Sequence, residues 1–166
     1  AVTDLLVDAT GAALWGERRL RAAIGRAGIT GDKREGDGAT PAGSFVLRRV
    51  LYRPDREAPP VTALASRPLD PADGWCDAPE DAAYNRPVRL PYRAHAETLW
   101  RDDELYDLVV VLGHNDAPVS AGRGSAIFLH LAAPNYRATE GCIALARADL
   151  VMVLAAADET SRVIIA

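Results

Sequence analysis

A cysteine and a histidine near the C-terminal end of the chain have the residue types of a nucleophile and its base. Cys142 follows Gly141, and His130 closes an apolar run twelve residues before the cysteine. A thiol of ordinary pKa is mostly protonated at neutral pH, but a neighbouring imidazole can form an ion pair with the thiolate and later protonate a leaving amine. The pair therefore indicates covalent catalysis by a cysteine.

Two predicted elements position this pair. The apolar run from Ala126 to Leu131 predicts a core strand that carries His130, and Cys142 falls on a loop or strand just before a helix. Adjacent β elements with a short connection can bring such side chains within hydrogen-bonding distance. Gly141 has no Cβ, so a substrate carbonyl could approach the backbone there, and N–H groups near the cysteine could hold an oxyanion. The alternative is a buried core thiol and a structural strand histidine, which the spacing alone favours.

Other residues with reactive side chains compete with this pair. Cys76 has no histidine near it in sequence, so burial is its expected role, and its neighbours Trp75 and Asp77 are candidates for a binding wall. His114 closes another apolar run and precedes Asn115 in a turn. Two neighbouring strands that each end in histidine indicate one shared edge of the sheet, so either histidine could be the base. A structural role for His114 is slightly favoured.

Two further kinds of site are disfavoured. No pair of Cys or His residues has the CxxC, HxH or HExxH spacing of a metal site, so we expect no metal. The Gly-rich stretch GDKREGDGATPAG at positions 31–43 lacks the GK[ST] ending of a P-loop and does not join a strand to a helix. Its glycines are expected to form turns.

The composition is that of an ordinary globular protein, with 49% hydrophobic and 25% charged residues in 166 positions. This length suits a single domain, 1–166, which we expect to be a monomer. The net charge of −4 gives no electrostatic case for binding nucleic acid or an anionic membrane. No apolar run approaches the roughly 20 residues of a membrane-spanning helix, and no signal peptide is visible. Lys33 is the only lysine, which we attribute to genome composition.

Hydrophobic periodicity predicts a mainly β fold with one principal helix. Apolar positions 150, 153, 154 and 157 recur at helical spacing and predict an amphipathic helix over 147–157, packed on the sheet after Cys142. The predicted strands are Leu5–Val7, Ala12–Trp15, Arg19–Ile24, Ser44–Tyr52, Val88–Leu90, Leu108–Leu112, Ala126–Leu131 and Arg162–Ala166.

The segment 53–92 holds eight of the eleven prolines. We predict a long irregular excursion there, with little regular structure before Val88, that serves as a lid or a substrate wall. A short helix is predicted just after it, at 95–100.

The stretch IFLH, followed by a short loop and TEGCIAL, resembles the active-site signature of the L,D-transpeptidase catalytic domain (YkuD-like) family. That signature is a strand His, then Ser or Thr, a variable residue, Gly, Cys and an aliphatic residue. The stretches KREGDGATPAGSFVL, LYDLVVVLGHN and GRGSAIFLH extend the likeness from Lys33 to the last helix. The matching signature residues are His130, Thr139, Glu140, Gly141, Cys142 and Ile143.

The chain departs from the more familiar members in ways that indicate a divergent branch. Glu140 stands where they carry a second histidine, and Ala144 stands where they often carry an arginine that could grip a substrate carboxylate. The loop between the His and the Thr is also shorter. Arg137 and Arg123 are candidates to replace the missing arginine, and Glu140 could receive a substrate ammonium.

The resemblance implies a β-sandwich-like mixed sheet with a helix against it, and a peptidoglycan L,D-transpeptidase activity. The cysteine would attack the carbonyl of the third residue of a stem peptide, release the terminal D-alanine, and pass the acyl group from a thioester to an amine of a second stem, giving a 3→3 cross-link. Water as acceptor would make it an L,D-carboxypeptidase, and a non-catalytic wall-binding module is the third possibility. The family works outside the cytoplasmic membrane, which implies a cleaved signal or a membrane tether upstream, and carbapenems are expected to acylate it.

The resemblance also implies a role for each candidate residue. Cys142 is the nucleophile, His130 is the base and acid, and the Leu131 carbonyl orients the imidazole. The N–H groups of Gly141 and Cys142 form the oxyanion hole. The substrate-binding candidates are Thr139, Glu140, His114, Asn115, Arg137 and Trp75, with no metal ligand and no cofactor.

Overall fold

The computed structural model describes residues 3–166. Within that range, regular structure is mostly β, with one α-helix, α1 (Arg147–Ala156), and a 3₁₀ turn at Pro134–Tyr136. The strands are β1 (Leu5–Val7), β2 (Ala12–Trp15), β3 (Arg18–Ala23), β4 (Ile29–Thr30), β5 (Thr40–Pro41), β6 (Gly43–Tyr52), β7 (Ser66–Pro68), β8 (Asp73–Cys76), β9 (Pro87–Arg89), β10 (Ala96–Thr98), β11 (Leu108–Leu112), β12 (Phe128–Leu131), β13 (Ile143–Leu145) and β14 (Arg162–Ile165).

The main sheet is mixed, as predicted, and closes on itself. Its order is β11-β12-β13-β3-β2-β1-β14-β6-β7, and β11 pairs with β6 as well as with β12, so eight of the strands form a closed circuit. The first core lies on one face of these strands, and α1 packs Leu150, Val153 and Leu154 into it. The helical spacing in the sequence therefore identifies the buried face of the helix correctly.

A second core covers the other face of β6, β11 and β12. The small antiparallel sheet β10-β8-β9 lies over this face, and Trp75 of β8 packs edge-on against Phe128 of β12, with ring centroids 5.1 Å apart. Both faces of β11 and β12 are thus buried, which explains why their sequences are apolar at successive positions instead of alternating.

The predictions for the Pro-rich segment were partly wrong. The segment 53–92 contains β7 and β8 in addition to the strand predicted near its end, and the helix predicted at 95–100 is replaced by β10. Ala96 pairs with Cys76 and Thr98 with Gly74, so this strand exists because of a partner about twenty residues away. Three-residue strands carry too little periodic signal to be recognised locally.

The other predicted strands and the helix are confirmed to within two residues at each end. No helix in the described part of the chain has the length and apolar character that a membrane crossing requires.

Candidate active site

The strand register places Cys142 and His130 on the same face of the main sheet. β12 and β13 are parallel, with His130 opposite Ala144. Partner residues in a parallel pair project from the same face, and side chains alternate along a strand, so Cys142 shares the face of Ala144 and His130. Both side chains line one cavity of about 480 Å³.

The imidazole of His130 is held in one tautomer. Its Nδ1 lies 2.8 Å from the carbonyl oxygen of Leu131, and because a carbonyl can only accept, Nδ1 carries the proton and Nε2 keeps its lone pair. Burial lowers the pKa of His130 to about 4, against the weaker opposing effect of that hydrogen bond. The ring is therefore neutral at pH 7, with Nε2 available as a base.

The Cys142 thiol rests between two backbone groups of the neighbouring strand segment. Sγ donates to the carbonyl oxygen of Ala126 at 3.2 Å and accepts from the N–H of Phe128 at 3.4 Å. Burial, followed by the charge of Glu97, raises the pKa of the thiol to about 12. The environment thus favours a neutral thiol and a neutral imidazole at rest, in contrast to the ion pair expected from the sequence.

The hydroxyl of Thr139 clamps the turn before the cysteine. Its Oγ1 donates to the carbonyl oxygen of Cys142 at 2.6 Å and accepts from the N–H of Gly141 at 3.1 Å. The Gly141 carbonyl oxygen in turn accepts from the hydroxyl of buried Thr40 at 2.9 Å. These three bonds fix the backbone that carries the thiol. Thr139 also lines the cavity, so its predicted contact with substrate stays a prediction.

Atoms of the protein itself occupy the space where a side chain at Gly141 would lie. The φ of +143° at Gly141 suits glycine, and a Cβ there would lie 2.9 Å from the carbonyl oxygen of Ala39 and 3.3 Å from Nζ of Lys33. Gly141 also lines the cavity, so the expected approach of a substrate carbonyl to its backbone stays a prediction. Its N–H is also already used by Thr139, so that donor is not free for an oxyanion.

Lys33 is a site residue that the sequence analysis missed. The only lysine of the chain is 6% exposed, lines the cavity beside Gly141, and forms an ion pair with Asp37. Its aliphatic stem passes over Gly124, where a Cβ would lie 3.0 Å from Lys33 Cγ. The feature of the sequence that could have indicated Lys33 is a single lysine inside a Gly-rich loop. We attributed the scarcity of lysine to genome composition instead.

Four carboxylates also line the cavity: Glu35, Asp77, Glu97 and Glu140. Glu35 accepts from the hydroxyls of Tyr84 and Ser125, both at 2.7 Å, and Glu97 accepts from the hydroxyl of Tyr106. Burial raises the pKa of Glu97, and the charges of Asp77 and Glu35 act in the same direction. Of the four, the sequence analysis named Asp77 and Glu140.

Two more of the predicted substrate-binding residues lie at this cavity. Arg137 and Glu140 both line it and both are exposed, and Glu140 forms an ion pair with Arg26 at 3.0 Å. Arg123, the other candidate anchor for a substrate carboxylate, does not line the cavity and pairs with Asp32 at 2.8 Å.

His114 does not share an edge with His130. β11 and β12 are antiparallel, with Val109 opposite His130, so the C-terminal ends of the two strands point in opposite directions. His114 follows the end of β11, where its Nε2 lies 3.1 Å from the carbonyl oxygen of Arg123, and it lies outside the cavity of the cysteine. The expectation of one shared edge was therefore wrong.

The remaining candidates have local structural contacts outside this cavity. Asn115 uses its amide to donate to the carbonyl oxygens of Ser120 and Gly124, at 3.0 and 2.9 Å. Trp75 is buried and donates from Nε1 to the side chain of Asn85 at 2.9 Å. Cys76 is buried with a free thiol.

The family model of the YkuD L,D-transpeptidase catalytic domain matches residues 6–165, nearly the whole chain. No curated protein and no solved structure shows a significant match.

Proposed function

The chain belongs to the family of L,D-transpeptidase catalytic domains, and on this basis we propose that it is a cysteine peptidoglycan L,D-transpeptidase that forms 3→3 cross-links. The observation that carries the proposal is the shared cavity and shared sheet face of Cys142 and His130, with Nε2 of the imidazole as a base. Because stem peptides lie outside the cytoplasmic membrane, the enzyme works in the periplasm or cell wall, as a monomer without metal or cofactor.

The first half of the reaction forms a thioester. As the sulfur of Cys142 attacks the carbonyl carbon of the third residue of a tetrapeptide stem, the S–H bond breaks and its proton leaves the hydrogen bond to the Ala126 carbonyl and moves to Nε2 of His130. The imidazolium then protonates the nitrogen of the terminal D-alanine, and the C–N bond breaks. A neutral resting pair suits this sequence, because the thiolate is generated only as the bond to carbon forms.

Negative charge develops on the carbonyl oxygen during this step. We assign its stabilisation to the N–H of Cys142 and the ammonium of Lys33, since the Gly141 N–H is already bonded to Thr139. The buried position of Lys33 supports the assignment, because a cation partly removed from water acts on nearby charge with little screening.

The second half transfers the acyl group to an amine. The neutral form of the amine attacks the thioester carbonyl, the N–C bond forms, and His130 takes the surplus proton from that nitrogen. The C–S bond then breaks, and the imidazolium returns the proton to the sulfur of Cys142. Carboxylates outnumber basic side chains by four to three on the cavity wall, and this excess of negative charge supports an amine acceptor over water, because it favours a cationic group entering the cavity. Asp77 comes from the Pro-rich segment, which supports a role for 53–92 as substrate wall.

The proposal is tested by intact mass after exposure to a carbapenem. Wild-type protein should gain one carbapenem mass, Cys76→Ala should behave identically, and Cys142→Ala should gain none. The Cys76 variant is a matched control because both thiols are buried and free. An adduct on Cys142→Ala, or none on the wild type, contradicts the assignment of the nucleophile.

Incubation with tetrapeptide muropeptides separates the possible activities. A 3→3 dimer that disappears in Cys142→Ala supports the transpeptidase. Tripeptide alone would identify an L,D-carboxypeptidase, and binding without any thioester would identify a wall-binding module.

A further inference from the structure

A second cavity, of about 500 Å³, lies between the main sheet and the small sheet. Ile127 lines both cavities, but Cys142 and His130 line only the first. The wall of the second cavity includes Arg48, Arg49 and Arg86, and we refer to it as the arginine cavity. Its apolar wall includes Trp75 and Phe128.

A bulge in β6 brings two of these arginines to the same cavity. Arg49 is opposite Val111, but the next residue of β11, Leu112, is opposite Leu47, so Arg48 is the extra residue. Neighbours in a regular strand project from opposite faces, whereas a bulge re-aims one of the side chains. Both guanidinium groups can therefore reach one space.

The arginine cavity carries excess positive charge. Asp116 is the only carboxylate among the described residues that line it, and both its oxygens are taken by Arg48, each at 3.0 Å. Arg86 donates to the backbone carbonyl oxygen of Asp116, which neutralises none of its charge. Three arginines thus face one aspartate, in a protein whose overall charge is −4.

Arg49 has no acceptor among residues 3–166 within hydrogen-bonding distance of its guanidinium. Its guanidinium carbon lies 5.9 Å from the centroid of the Trp75 ring. The side chain is half-buried, and burial, followed by the charge of Arg67, lowers its pKa. A cation that is partly desolvated and unpaired costs stability unless something else supplies the opposite charge.

We infer that the arginine cavity binds an oxyanion, a carboxylate or a phosphate group, with Arg49 as its principal contact. A planar guanidinium offers a fork of donors that matches the oxygens of either group in a two-point contact. The volume exceeds that of a bare ion, and the aromatic wall accommodates an organic body attached to the anionic group. This site is separate from the proposed reaction and does not depend on it.

The test measures binding of inorganic phosphate and of acetate by calorimetry and by thermal unfolding, with sodium chloride holding ionic strength constant. Wild-type protein should bind at least one of the two saturably and melt at a higher temperature in its presence. The anion that binds more tightly identifies the group as phosphate or carboxylate.

Three substitutions locate the site. Arg49→Gln should weaken binding at least tenfold, and Arg86→Gln should weaken it as well. The control is Arg18→Gln, an exposed arginine on β3 outside the cavity, which should bind like the wild type. Without added anion, Arg49→Gln should be at least as stable as the wild type, because it removes an unpaired cation.

Two results would overturn the inference. One is the absence of saturable binding of either anion to the wild type. The other is a failure of Arg49→Gln to weaken binding more than the control Arg18→Gln does, which would indicate only general surface electrostatics.

Discussion

His130 donates its Nδ1 proton to the carbonyl oxygen of Leu131, its own neighbour in β12, at 2.8 Å. The acceptor is a backbone carbonyl of the same strand, so no further side chain is needed to fix the tautomer of His130. The bond leaves Nε2 as the basic nitrogen of a buried ring, and four predictions follow from this ring and from the groups around Cys142.

Stability should fall as the pH drops from 6.5 towards 4. The unfolded chain protonates His130 near pH 6.5, whereas burial lowers its folded pKa to about 4, so between these values only the unfolded state gains the proton. His130 alone should lower the free energy of unfolding by about 1.4 kcal/mol per pH unit, and by roughly 3 kcal/mol in total. Urea unfolding at pH 7 and pH 4 should show a smaller loss in His130→Gln than in the wild type.

His95 provides the control of opposite sign. It is exposed, and its bond to Asp77 raises its pKa, so its contribution is present at low pH and lost as the pH rises. His95→Gln should therefore make the loss on acidification larger. Identical pH profiles for wild type and His130→Gln would contradict the neutral buried imidazole.

Alkylation of Cys142 should keep accelerating well beyond the pH at which an ordinary thiol levels off. Burial raises its pKa to about 12, so the thiolate fraction still increases tenfold per pH unit at pH 9. The measurement is the rate of reaction with iodoacetamide in Cys76→Ala, which leaves one thiol, with the urea-unfolded protein as reference. A plateau near pH 7 would indicate a resting thiolate–imidazolium pair instead.

The ammonium of Lys33 should matter for acylation separately from its effect on folding. Lys33→Met leaves Asp37 without its cation and should cost about 2 kcal/mol of stability. Adding Asp37→Asn should restore much of that stability. Acylation by a carbapenem, followed by mass, should nevertheless stay at least tenfold slower in the double variant. Recovery of the rate together with stability would mean that Lys33 only supports the fold.

The hydroxyl of Thr139 should be required for the geometry of the turn. Thr139→Val removes the bonds to the Cys142 carbonyl and the Gly141 N–H, which should cost about 1–2 kcal/mol and slow acylation about tenfold. Thr139→Ser keeps the hydroxyl and should retain the wild-type rate. If the valine variant acylates normally, the clamp does not position the nucleophile.

Local pattern alone predicted most of the fold. The apolar runs of β11 and β12 and the helical spacing of α1 indicate buried faces, because periodicity records which side chains avoid water. The small sheet was largely missed, since strands as short as Ala96–Thr98 are stabilised by their pairing partners and not by their own residues. Gly74, in the partner strand, also has no side chain to mark a pattern.

The sequence by itself determined the chemical types at the candidate site, a Cys after a Gly and a His on a core strand, whose catalytic roles stay predictions. Only the tertiary structure decided which groups meet. Parallel pairing of β12 with β13 puts Cys142 and His130 on one face, and antiparallel pairing of β11 with β12 sends His114 to the opposite end. It also brings Lys33 beside Gly141, from more than a hundred positions away in the chain. The pairing partner and direction of a strand depend on contacts between segments that are distant in sequence. The local hydrophobic pattern of a strand does not specify those contacts.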